Sequence, residues 1–242
     1  MSAGGQVTAS QDPPGPQDPC EQAAQPLRAD AERNRERILA AARRTFAAHG
    51  IEVPMSAVAR AAGVGVATLF RRFPTREDLI NAVFAGTMDA YVDAVTAALA
   101  DPDPWHGFTG YVQAVCAMQA ANRGFAEVLT MTFPAAGHLE EQRARALGGF
   151  IELIDRAKAT GHLRPDFVSQ DLVILLMANA GVIAATANAA PGSWRRLVGY
   201  MIQAFTAPRP NTLPPPPAPD ALARAMLGPG CTSTSSTPPP AN

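Results

Sequence analysis

Lysine is nearly missing from this sequence: Lys158 is the only one among 20 basic residues, and all the others are arginine. Aromatic residues are also scarce, at 6% of 242, while hydrophobic residues reach 47% with alanine abundant among them. That balance disfavours a sheet protein and favours helices. Cysteine is limited to Cys20, Cys116 and Cys231, far apart and odd in number, with no CxxC pair. A disulfide or zinc framework is therefore not expected. The four histidines (His49, His106, His138 and His162) lie in separate segments, with neither an HExxH nor a paired ligand spacing. Gly63-Val64-Gly65 is too short for a phosphate loop and follows no strand, and no serine sits in a nucleophile elbow. No enzyme, metal or cofactor is therefore expected. The N-terminus has no basic start followed by an apolar run, so no signal peptide is expected and the chain reads as cytoplasmic.

The charge is small overall but unevenly placed. Residues 28–80 carry ten arginines against six carboxylates, a net of +4, and the remainder carries ten basic against fifteen acidic residues, a net of −5. A basic module on an acidic body fits a polyanion contact at one end of the molecule.

Four domains follow from composition and pattern. Residues 1–27 contain five prolines and hardly a large apolar side chain, which reads as a disordered tail. Residues 208–242 contain eleven prolines and read likewise, with a short helical patch from Asp220 to Leu227. Between them, residues 28–80 form a basic helical unit and residues 81–207 a helical body. The first helix is expected from about Asp30 to His49, with Ile38, Ala41, Ala42, Thr45 and Phe46 on one buried stripe. Gly50 ends it, and Pro54 separates it from the next.

Ser56 to Phe73 reads as two short helices around a tight turn. The Ser56 hydroxyl is expected to cap the first, Gly63 supplies the turn, and the second starts near Gly65 and buries Leu69 and Phe73. Val66, Ala67, Thr68, Phe70, Arg71 and Arg72 are left on or beside the exposed face. This layout fits a helix-turn-helix, whose second helix enters the DNA major groove, and on the turn alone it fits an ordinary αα-corner of a helical protein as well. Thr75 and Asp78 have capping-box spacing, so a long helix starts there, with Arg76 in its first turn and Ala100 near its end.

Several spaced motifs then agree at once: Phe46-x-x-x-Gly50, Met55 to Val64, Ala67-Thr-Leu-Phe70 and Phe73-Pro-Thr-Arg-Glu-Asp-Leu79. Together they resemble the DNA-binding domain of the TetR family of bacterial regulators. The resemblance implies an all-α protein with an N-terminal three-helix DNA-binding domain and a larger helical ligand-binding and dimerisation domain. It implies a homodimer on a palindromic double-stranded DNA operator, released by a small-molecule effector. Carried over by position, Ser56 contacts the DNA backbone, and Val66, Ala67, Thr68 and Arg71 read bases. Phe70, Arg72 and Arg76 fall where the family meets phosphates, although Phe70 lacks a hydroxyl for that purpose.

The body carries no motif. Its helices are expected at Pro104–Ala121, Arg123–Met131, His138–Thr160, Ser169–Ala189 and Ser193–Ala207, with a break at Gly161 to Asp166. Residues 172–190 contain no charge over nineteen positions, but Asn179, Gly181, Thr186 and Asn188 argue for a helix packed on a partner rather than a membrane span. Ala180, Ala184 and Ala187, with Trp194, Leu197, Val198 and Met201, are the expected dimer seam, with core packing inside one subunit as the alternative. Tyr91, Trp105, Phe108, Met118, Phe125, Met131, Phe133, Phe150 and Met177 are candidates for the lining of a mainly apolar ligand pocket, with plain core packing as the alternative at helical spacing. On the residues alone two other readings stay open: a helical ligand carrier that has lost DNA recognition, and an unrecognised α-helical enzyme.

Overall fold

Ile38, Ala41, Ala42 and Phe46 form the fully buried stripe of the first helix, α1 (Pro19–His49), with Thr45 half-buried beside them. The chain is described here by a computed structural model that covers residues 19–130, 137–207 and 213–226; among these every regular element is a helix. Helix α1 starts well before the expected Asp30 and takes in residues 19–27, which composition alone had assigned to a disordered tail. The physical reason is propensity: Glu21, Gln22, Ala23, Ala24, Gln25 and Leu27 are strong helix formers, and Pro19 opens the helix where its missing N–H costs nothing.

Gly50 leaves α1 with φ 82, and a short loop leads to α2 (Met55–Ala62). The expected Ser56 cap is not formed. Pro54, at φ −58 and ψ 140, occupies the flanking position without a side-chain cap, and Ser56 lies in the first turn, exposed. Helix α3 (Val66–Arg72) follows the turn, with Gly65 flanking its start.

Helix α4 (Arg76–Ala100) begins in a complete capping box: Thr75 Oγ1 accepts the Asp78 amide at 3.0 Å, and the Asp78 carboxylate accepts the Thr75 amide at 3.0 Å. It runs without interruption through residue 80, where the sequence suggested a domain boundary, so one rod belongs to both units. Leu79, Ile80, Val83 and Phe84 pack into the N-terminal unit; Met88, Tyr91, Val95 and Ala98 pack into the body.

The body is built from α5 (Pro104–Ala121), α6 (Arg123–Thr130), α7 (Gly137–Ala159), α8 (Ser169–Thr186) and α9 (Ser193–Phe205). Asp103 caps α5 by accepting the amides of Trp105 and His106. A column of rings fills the centre. Tyr111 tilts against Phe150, Phe108 stacks on Phe150, Phe167 meets Phe108 edge-on, and Phe205 closes the column 4.8 Å from Phe167. The Gly161 to Asp166 break is strapped to the end of α9: the Arg164 amide donates to Phe205 O at 2.9 Å and the Ala207 amide to His162 O at 2.7 Å. Within the C-terminal tail, residues 213–218 are exposed and without regular structure, and α10 (Pro219–Met226) matches the expected helical patch.

Candidate nucleic-acid interface

Gly63 adopts φ 63 and ψ 36 at the end of α2, a left-handed conformation that a side chain would strain. Its amide donates to Arg60 O at 3.1 Å, and the Val64 amide to Ala59 O at 3.0 Å, so the chain reverses within three residues. Arg37 on α1 completes the cap: its Nη2 donates to Ala62 O at 3.0 Å and to Gly63 O at 3.2 Å. A cation at the carbonyl end of a helix is favoured by the helix dipole. Sequence reasoning missed this role, because Arg37 is one of several arginines on the polar side of α1 and nothing local singles it out.

Leu69 is fully buried and Phe73 nearly so, which fixes the roll of α3. Ala67, Arg71 and Arg72 consequently face outward with Val66 and Phe70, and Thr68 is half-buried. Val66 and Phe70 are each 43% exposed, far more than apolar side chains of this size need to be in a small helical unit. They leave an apolar front on the helix with arginines behind it, fit to meet thymine methyls and phosphates. The Ser56 hydroxyl is exposed at the start of α2.

The three arginines differ in their surroundings. Arg71 borders a cleft between α1 and α3, with Asn34, Arg35, Thr68 and Arg72 around it. Arg72 Nη2 lies 3.2 Å from the Glu32 carboxylate of α1, so an internal carboxylate competes for it. Arg76 is not poised as a phosphate contact in the way its position suggested. Its Nη1 donates to Ile51 O at 2.6 Å and to Val53 O at 2.7 Å, and the side chain is half-buried. Its guanidinium holds the loop between α1 and α2.

The same loop is gripped from the body. Glu127 on α6 accepts the Ile51 amide at 2.8 Å, and a Cβ at Gly50 would collide with the Glu127 carboxylate. Behind this contact Phe46 of α1 stacks on Phe84 of α4 at 6.1 Å, and Phe84 meets Phe125 of α6 at a tilt at 6.2 Å. Glu127 therefore points at the N-terminal unit.

Tyr91, Phe108, Phe125 and Phe150, expected to line a pocket, are buried in ring-on-ring packing. Trp105 and Met118 are half-buried, and Met177 points to solvent from α8 at 38% exposure. Met131 and Phe133 lie outside the described residues. Of the expected seam, Ala184 and Ala187 are exposed and Ala180, Leu197 and Met201 half-buried. Trp194 and Val198 instead belong to the subunit's own core, because the roll of α9 turns them toward α5. Ile174 and Met177 expose large apolar groups on the uncharged side of α8, two positions the seam reading had omitted.

Residues 38–83 match the family described as bacterial regulatory proteins of the tetR family, and residues 103–204 match the C-terminal domain of SbtR-like transcriptional regulators. An HTH-type transcriptional regulator of Staphylococcus aureus is 34% identical over 67 residues, which is 27% of this chain and 36% of that protein. The alignment thus spans about a third of the length of the curated relatives. Over a longer stretch, the TetR transcription regulatory protein of Mycobacterium vanbaalenii is 31% identical, covering 75% of this chain and 99% of its own, with a TM-score of 0.41. Mycobacterium smegmatis AmtR shares the fold at a TM-score of 0.53 and 18% identity, over 71% of this chain and 86% of its own. With the recognition helix, its glycine turn and both matched segments in one chain, the protein belongs to the TetR family of DNA-binding bacterial transcriptional regulators.

Proposed function

We propose that the chain acts in the cytoplasm as a homodimeric repressor that leaves a palindromic operator when a small, mainly apolar ligand binds its body. The grip of Glu127 on Ile51 carries this reading. That loop sets where α2 begins, and α2 presents Ser56 and holds the turn into α3. A shift of α6 in the body thus reaches the reading head through contacts that include this hydrogen bond and the Phe46–Phe84–Phe125 ring series. A ligand acts only through its different affinities for the two arrangements. Moving the dimer from almost wholly bound to almost wholly released requires about a 10⁴-fold preference, roughly 5.5 kcal/mol.

Dimerisation has support in α8. Only Leu172, Leu175, Leu176 and Asn179 of its eighteen residues are buried within the subunit. Ile174, Met177, Gly181 and Ala184 are left on an uncharged face whose small residues admit a close partner helix. Length and apolarity alone would also let α4 or α8 cross a membrane, but a second copy of α8 covers the same face without a bilayer.

The test uses Ala184→Arg, which puts an unpaired charge into that seam at a cost of several kcal/mol. Sedimentation should show monomers of unchanged helicity, with binding to a duplex selected from a random pool lost. A variant that stays dimeric, or monomers that bind the duplex as tightly as the parent, would refute the reading.

A further inference from the structure

A cavity of about 510 Å³ opens between α5 and α9, away from the recognition face and outside the ring column of the body. Its α5 wall is Gly110, Gln113, Ala114 and Ala117; its α9 wall includes Trp194, Arg195, Val198 and Gly199. The volume is that of a small-molecule site.

Two features bear on what this groove can hold. The first is the glycine on each wall. Gly110 and Gly199 lie in helix interiors, where glycine costs about 1 kcal/mol relative to alanine. Neither has a positive φ, and a Cβ on either would meet nothing within 4 Å. Gly86, Gly148 and Gly181 lie in helices with the same open space, so the two groove glycines serve only to leave room for close approach of a bound group.

The second feature is charge. Arg195 is the only charged residue on the walls; α5 contains no charged side chain other than His106, and α9 contains no carboxylate. Arg195 and Arg196 lie in the first turn of α9, where the helix dipole disfavours cations and favours anions. The Arg195 guanidinium lies over the Trp194 ring at 4.6 Å, and among the described residues it has no hydrogen bond or ion pair. Stacking occupies its face and leaves the in-plane N–H donors for a planar oxyanion.

We infer that the α5/α9 groove is a binding site for a small amphipathic organic anion, a carboxylate with an apolar body, held by Arg195. The carboxylate pairs with the guanidinium, with Gln113 as a neutral second donor. The apolar body lies along Gly110, Ala114 and Ala117 against Trp194 and Val198. This inference names a ligand class for the ligand-responsive reading above and rests on that reading only for the step from occupancy to DNA release.

The chain has two tryptophans, so Trp105→Phe leaves Trp194 as the sole reporter. Octanoate and phenylacetate, titrated into this variant, should change its fluorescence saturably, about tenfold more tightly than octanol and phenylethanol. Arg195→Gln should abolish that preference while retaining helicity, and Ala114→Phe should abolish binding of all four. Equal affinity for acids and alcohols, absence of saturable change, or an unaffected Arg195→Gln variant overturns the site. So does Ala114→Phe if it dissociates the dimer, because the groove then receives a second copy. If the acids bind as described but the duplex stays bound, the ligand-responsive reading fails and the site stands. If other compounds release the duplex while neither acid binds, the site fails and that reading stands.

Discussion

Glu127 and Ile51 are 76 residues apart in sequence, yet the carboxylate of one accepts the amide of the other at 2.8 Å. Through this contact the body touches the loop that feeds the reading head. Glu127→Ala should leave a part-buried amide unsatisfied and cost about 1–3 kcal/mol, whereas Glu127→Gln keeps an acceptor and should cost less. Urea denaturation gives the two costs, and hydrogen exchange at Ile51 should quicken in the alanine variant alone. Identical costs for both variants would show that the hydrogen bond contributes nothing.

Arg71 and Arg76 should separate cleanly. Arg71→Ala should lose roughly 1–3 kcal/mol of duplex affinity and relax preference at one base position if the side chain pairs with guanine. Arg76→Ala should lower the melting temperature by freeing the Ile51 and Val53 carbonyls, and weaken all duplexes alike. Because Arg76 spends its Nη1 on those carbonyls, the salt slope should be unchanged; a slope smaller by about one would restore a phosphate role.

That pair of arginines shows where the sequence was legible. Helical period, Gly63, Leu69 and the Thr75–Asp78 box are local signals, and each appears in the structure where its spacing placed it. Arg37, Arg76 and Glu127 are tied to backbone carbonyls and amides 23 to 76 residues away, and no spacing rule marks such partners. Helix α9 misled for a related reason. Its apolar residues fix a face, but only tertiary contacts decide that Trp194 and Val198 turn inward against α5 and Tyr200 outward. The start of α1 failed for the opposite reason, since proline content outweighed a run of good helix formers in the composition argument.

The Glu32–Arg72 pair is exposed, so its own worth is at most about 1 kcal/mol. Its effect should appear on DNA instead. Glu32→Ala frees Arg72 for phosphate, and non-specific duplex binding should tighten with a salt slope steeper by up to about one. Isothermal titration at several salt concentrations measures this. Weaker binding by the variant would mean that Glu32 positions Arg72 rather than withholding it.

His106 Nδ1 lies 2.6 Å from Asp101 Oδ2 at the α4–α5 turn. The hydrogen bond to Asp101, then its charge, raises the His106 pKa above its ordinary 6.5. The same bond, then the Asp103 amide, lowers Asp101 below 3.8. The His106 contribution is complete below 6.5 and lost as pH rises through its raised value. That of Asp101 is complete above 3.8 and lost as pH falls through its lowered value. The turn should therefore be most ordered between these two ordinary values. Proton NMR should find His106 titrating above 6.5 and returning toward it in Asp101→Asn; no difference between the two proteins would dismiss the pairing.

Helix α4 has 25 residues and no break, so at about 1.5 Å per residue it is a shaft of about 37 Å with one end in the body and the other at the reading head. A shaft of that length works as a lever. Tilting its body end by about 5° swings the far end by about 3 Å, close to the rise of one base pair, about 3.4 Å. Two such swings of opposite sense in a dimer would put the recognition helices out of step with consecutive grooves. A movement too small to disturb the packing around Tyr91 would then suffice to turn an operator into ordinary DNA.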